Sequence, residues 1–230
     1  MFEFISSILV LIAALTFIAG VSAWRREFVG KRRIDLAESV LALFYEAEDV
    51  IRQIRNPQSF VGEGGKRKRA DNELAEESRL LDQANIVFER YKEREKLFAQ
   101  VRSMRYRVMA TFGSAAAEPF DELDKIINEI LVAARMLGSH YWPRQGRVEM
   151  APEEFKKHLE EMHSYETVFW YLGEDKDQIS PRIRKAVEKI EGIVKVAFVS
   201  QDSILSDVVV ELKSFITKGK KSFRKSDSKS

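Results

Sequence analysis

From Phe4 to Ala23 the sequence holds twenty consecutive residues without a charge, most of them apolar, and the run stops against Arg25 and Arg26. As a helix rising about 1.5 Å per residue, the run covers roughly 30 Å, the thickness of a bilayer's hydrocarbon core. Water rejects such a segment and lipid accepts it, so the sequence predicts a transmembrane anchor over residues 1–24. Val21-Ser22-Ala23 also has the small-residue pattern of a signal-peptidase site. A signal peptide, however, starts with positive charge and has an apolar stretch of about 7–15 residues. Here Glu3 is the only charged side chain ahead of the run, and the retained span is the expectation.

Orientation follows from the flanks. A basic juxtamembrane segment, residues 25–33, holds Arg25, Arg26, Lys31, Arg32 and Arg33 against Glu27 alone. The positive-inside bias places this side in the cytoplasm and the N-terminus outside, in an inner or plasma membrane. Trp24 occupies the position of an interfacial aromatic. Within the span, Ala13, Thr16 and Gly20 recur close to one face, and small residues let membrane helices approach closely. They are the expected self-association face of a homodimer.

The net charge of +2 conceals a segregation: residues 25–33 carry +4, residues 218–230 carry +5, and residues 34–217 carry −6. Basic segments beside an anionic leaflet gain about 1 kcal/mol per Lys or Arg. The expected membrane-surface residues are therefore the junction cations together with Lys220, Lys221, Arg224 and Lys225 of the tail. Ser/Lys-rich composition predicts a disordered tail over 218–230.

Apolar residues spaced three and four apart predict helices throughout the body. Ile34, Ala37, Leu41, Phe44, Ile51 and Ile54 form the first stripe, which continues the span and ends at Asn56-Pro57. A flexible loop over 56–72 follows, containing the run Lys66-Arg67-Lys68-Arg69, read as a solvated patch or an internal counterion for the acidic body. A second helix is expected from Glu73 to Phe112, stopped by Gly113, and a third from Pro119 to Tyr141. The fourth runs from Pro152 to Leu172, burying Phe155, Leu159, Met162 and Phe169. Ser180-Pro181 supplies an N-cap and a first-turn proline for a fifth, whose stripe extends through Ile204, Val208 and Phe215. The fold class is all-α, an N-terminal transmembrane helix followed by a cytoplasmic bundle of about five helices over 34–217.

Catalytic signatures are sparse. Glu160-Glu161-Met162-His163 contains one Glu-x-x-His pair, whereas a carboxylate-bridged metal site in a bundle needs two such pairs and further carboxylates. His158 and His163 stand about 140° apart around a helix, so no metal ligands and no cofactor are assigned. The sequence has no cysteine and no Gly-x-Ser-x-Gly elbow. The arginines near Tyr91 and Tyr106 are diluted by glutamates, which disfavours nucleic acid. Trp170, Tyr171 and Leu172 cannot all face inward on one helix, so an exposed aromatic patch at Trp170 would mark a partner contact. The expected function is a non-enzymatic protein-interaction adaptor or scaffold at the cytoplasmic membrane face. The alternatives are an anionic-lipid or nucleic-acid-binding module using loop 66–69 and the tail, and, as a minor reading, a metal-dependent enzyme.

Overall fold

A computed structural model describes residues 2–145, 147–173 and 177–198, with the side chains of residues 2–15, 18 and 19 set aside. The protein is all-helical, with no strand among the described residues. In sequence order the helices are α1 (Phe2–Ile54), α2 (Ala75–Glu93), α3 (Glu95–Phe112), α4 (Glu118–Met136), a short turn α5 (Trp142–Arg144), α6 (Pro152–Phe169) and α7 (residues 180–198). A 3-10 turn, Ser114–Ala117, leads into α4, and a π turn, Leu137–Tyr141, leads out of it. Residues 39–193 form one compact unit; the described residues outside it, 2–38 and 194–198, belong to a second.

In the larger unit, α4 is the central element. It packs on α2, α3 and α6 and buries Phe120, Leu123, Ile126, Ile127, Ile130, Ala133 and Ala134. Those positions cover more than one face of the helix, as an element enclosed by neighbours requires. Phe44 of α1 meets Phe120 edge to face, with ring centroids 4.9 Å apart. The last turns of α1 run antiparallel to α7: Tyr45 donates to Glu191 at 2.6 Å, and Arg55 pairs with Asp177 just ahead of α7. Ion pairs from Arg182 to Glu122 and Glu129, and from Lys189 to Glu118, tie α7 to α4.

Several boundaries differ from the sequence reading. The expected second helix is two helices, broken at Arg94, where the backbone leaves helical geometry at φ −108° and ψ 10°. Residues 92–96 are all exposed, so no buried side chain holds the two halves in line. The buried seam of α1 centres on Ala37, Val40, Phe44, Ala47, Ile51 and Ile54; Leu41 lies at its half-buried edge. On α6, Phe155 is exposed, Leu159 is half-buried, and His158 takes an interior position against Tyr141. The N-terminus of α7 is held by Asp177, whose carboxylate accepts the Ile179 and Ser180 N–H groups. Ser180, expected to cap, donates its own hydroxyl to that carboxylate.

The aromatic groups that end the third and fourth predicted helices meet. Tyr141 and Tyr165 have centroids 5.2 Å apart, and Trp142 packs edge to face on Phe169 at 5.4 Å. Gly138, inside the π turn, lets that turn approach α2 closely: a Cβ there would stand 2.5 Å from the Ala84 Cβ on α2.

Among the described residues no helix is long and apolar enough to cross a membrane. The side chains of Phe4 to Leu15, which form most of the apolar run, lie outside those residues, as do Ala13 of the self-association face and Lys220, Lys221, Arg224 and Lys225 of the tail. So do Ile204, Val208 and Phe215. Thr16, Gly20, Arg25, Arg26, Lys31, Arg32 and Arg33 are exposed along α1.

Candidate interaction cleft

The segment between α1 and α2, expected to be a flexible solvated loop, is pinned to α2 by charged hydrogen bonds. Helix α1 ends with carbonyls that lack intrahelical donors. Arg90, four turns into α2, supplies donors to that end: Nη1 donates to the carbonyls of Gln53 (3.2 Å), Ile54 (3.2 Å) and Asn56 (2.7 Å), and Nη2 to that of Gln58 (2.6 Å). Its Nε and Nη2 also grip the Glu63 carboxylate at 2.6 and 3.0 Å. That hydrogen-bonded guanidinium holds Glu63 below the usual carboxylate range, against the opposing effect of burial.

A second set of contacts holds the middle of the loop. The Glu89 carboxylate accepts the backbone N–H groups of Gly64 (3.1 Å) and Lys66 (2.8 Å), while the Asn85 amide donates to the Gly64 carbonyl at 2.9 Å. Gly64 has φ +85°, and a Cβ there would sit 2.0 Å from the Asp82 carbonyl oxygen. Any side chain is thus excluded twice, by backbone conformation and by contact. Gly64→Ala is expected to destabilise the protein by about 2 kcal/mol or more and to raise amide exchange across residues 57–73 well above that of α2. Hydrogen exchange with mass-spectrometric readout checks it; an unchanged loop pattern would contradict the docking described here.

Arg67 anchors the third point. Its Nε donates to Asp82 at 2.6 Å, its two terminal nitrogens embrace the Glu73 carboxylate, and Nη2 also reaches the Ser78 hydroxyl at 3.0 Å. The Ser78 hydroxyl in turn donates to Glu73 at 2.8 Å, and Arg69 takes the other oxygen of Asp82 at 2.8 Å. Arg67's hydrogen bonds outweigh burial and bring Glu73 down to about 2. The basic run is thus the internal counterion: Lys66 faces Glu89 and Glu93, Arg67 and Arg69 are engaged by Glu73 and Asp82, and only Lys68 has no acidic partner among the described residues.

This lattice walls a cleft of about 600 Å³ between the loop, the first turns of α2 and the end of α6. Glu63, Glu73 and Asp82 line it with their oxygens already engaged. Arg79, Gln83, Ser59 and Arg69 add polar groups; Pro57, Ile86 and the half-buried Trp170 add apolar surface. Trp170 is the aromatic singled out from sequence, and it lines a concavity instead of forming a flat exposed patch.

The other sequence candidates separate. His163 is exposed and paired with Glu166 at 2.9 Å, and no group of metal-ligating side chains occurs among the described residues. In the smaller unit, Trp24 is 65% exposed and stacked on Phe28 at 5.7 Å, with the Arg32 guanidinium 5.0 Å from the Phe28 ring. Sequence reasoning missed the Arg55–Asp177 pair, since neither residue belongs to a motif and 122 positions separate them.

No family model, curated protein or solved structure matches this protein. Fold and cleft together define an all-α helical bundle whose α1–α2 connection is docked by arginine–carboxylate pairs.

Proposed function

We propose that this is a single-pass membrane protein, N-terminus outside and helical body in the cytoplasm, that acts as a non-enzymatic adaptor for another protein. The observation that carries this reading is the aromatic-cation ladder at the end of the apolar run. Phe17, Val21, Trp24 and Phe28 recur four, three and four residues apart on α1, all exposed, and end under Arg32. Large apolar side chains facing outward, then an indole, then a cation over an aromatic ring, follow the order of hydrocarbon, interface and headgroup. Arg25, Arg26, Lys31 and Arg33 complete the cationic collar. In this reading Ala13, Thr16 and Gly20 form a contact between two anchors. Loop 66–69 contributes little to a lipid- or polyanion-binding surface, because three of its four cations already face carboxylates.

Membrane fractionation tests it. The full-length protein is expected to resist alkaline carbonate extraction, and protease added to spheroplasts is expected to leave residues 25–230 intact. Placing Arg at Leu11, at a cost of about 2.5–3.5 kcal/mol for insertion, is expected to move the protein into the extractable fraction. A wild-type protein that carbonate releases would end the proposal. Chemical crosslinking in native membranes is expected to trap a partner at defined stoichiometry.

A further inference from the structure

Which partner chemistry the cleft fits follows from counting the charges that remain available inside it. Arg67, Arg69 and Arg90 are committed to Glu73, Asp82 and Glu63. Arg79, about one turn after Glu76, is exposed, lines the cleft and makes no ion pair with a described residue. Two arginines, Arg69 and Arg79, and three carboxylates line the cleft, and Arg67 and Arg90 meet Glu73, Asp82 and Glu63 from outside that lining, so every lining carboxylate is paired while Arg79 is not. Among the described residues, therefore, the cleft offers one unpaired guanidinium, that of Arg79. The same cleft is lined by an indole, Trp170, and by the apolar surface of Ile86 and Pro57.

A polyanion gains nothing after its first charge here, since each further phosphate approaches Glu63, Glu73 or Asp82 with no cation left to meet it. A neutral apolar ligand leaves Arg79 unused. One carboxylate beside an aromatic or large apolar side chain satisfies both: the guanidinium takes the carboxylate in a charge-assisted pair, and the ring lies on Trp170. We infer that the cleft binds a peptide segment of a partner protein through one carboxylate and an adjacent aromatic side chain. This rests on the adaptor reading and names the chemistry of its partner. The carboxylate belongs either to an Asp or Glu side chain or to the partner's terminal carboxyl group.

The test uses the full-length protein in lipid nanodiscs, labelled with 5-fluorotryptophan. Its three tryptophans give separate fluorine resonances, and Trp170→Phe identifies the cleft signal. The probes are N-acetyl-Phe-Asp-amide, N-acetyl-Gly-Phe with a free carboxyl end, and neutral N-acetyl-Phe-Asn-amide. A saturable shift of the Trp170 resonance is expected from an acidic probe, with Trp24 and Trp142 unmoved; which acidic probe binds tells a side-chain carboxylate from a terminal one. Arg79→Gln is expected to weaken that binding about tenfold, one charge-assisted hydrogen bond. Gln83→Glu, which adds a fourth carboxylate to the wall, is expected to weaken it similarly, with both variants keeping the wild-type denaturation midpoint. The inference is overturned if neither acidic probe moves Trp170, if the neutral probe moves it equally, if Arg79→Gln binds as wild type does, or if an oligonucleotide shifts Trp170 where the peptides do not. Crosslinking in native membranes keeps the two ideas apart. A partner trapped equally by wild type and Arg79→Gln preserves the adaptor and sinks the cleft chemistry; a partner lost on Arg79→Gln supports both.

Discussion

Arg55→Ala is expected to lower the stability of the full-length protein by about 3–5 kcal/mol, the cost of leaving one member of a buried ion pair alone. The Arg55 side chain is 1% exposed and that of its partner Asp177 0%. Its Nη1 and Nη2 grip Asp177 at 3.0 and 2.6 Å, Nε donates to the Val168 carbonyl, and Nη2 also donates to the carbonyls of Thr167 and Trp170. The backbone takes part as well, since the Tyr171 N–H donates to the Arg55 carbonyl at 2.8 Å. One side chain thereby joins the end of α1, the end of α6 and the start of α7. Arg55→Lys keeps the charge but not the planar fork, and is expected to lose most of the same stability. Replacing both members together, as Arg55→Met with Asp177→Leu, is expected to cost less than either single change, because no unpaired charge is left inside. Urea denaturation of the wild type, Arg55→Ala, Arg55→Lys, Arg55→Met, Asp177→Leu and the double variant in mild detergent checks the order.

The same pair sets a pH dependence. Burial pushes the Asp177 carboxyl up, but Arg55 and Ser180 together outweigh burial and hold it below its ordinary value. A carboxyl lowered on folding contributes stability that is present above its unfolded pKa, about 3.9, and is lost as pH falls through the lower folded value. Between pH 5 and 8 the contribution is constant. The wild type is expected to lose it only in acid below about pH 4, and Asp177→Asn is expected to show a weaker slope there.

The second large effect belongs to Phe44. Its ring is fully buried, set edge to face against Phe120 at an interplanar angle of 87°. Phe44→Ala removes the ring contact with Phe120 of the central helix and leaves a cavity, at an expected cost of about 3–5 kcal/mol. A double-mutant cycle with Phe120→Leu is expected to give a coupling of about 0.5–1.5 kcal/mol, the share that belongs to ring geometry. Coupling near zero would mean that the two rings contribute only through buried area.

What the sequence disclosed, and what it withheld, divides along a physical line. Periodicity exposes any helix whose apolar face is repeated, and so α1, α4 and α7 were legible in outline. Pro57, Gly113 and Pro152 marked ends because their backbone constraints are local. The break at Arg94 was not legible, because charged residues with good helix propensity read as helix in either state. The cleft is visible only in fragments: the run Lys66–Arg69 and Trp170 stand out, but of the counter-charges only Glu73 lies in the same connection, while Asp82, Glu89 and Glu93 lie on α2. Ion pairs across such distances leave no spacing in the sequence. Nothing in the sequence distinguishes Arg55 from a surface cation at the end of a helix, a position where cations are favourable.

Arg90 serves two masters. The guanidinium that fastens Glu63 into the cleft wall is also the donor for the closing carbonyls of the first helix. Tugging on that rim therefore loads the final turn of α1, and unravelling that turn slackens the rim. Docking and helix termination are one mechanical joint, with a single side chain as its pin.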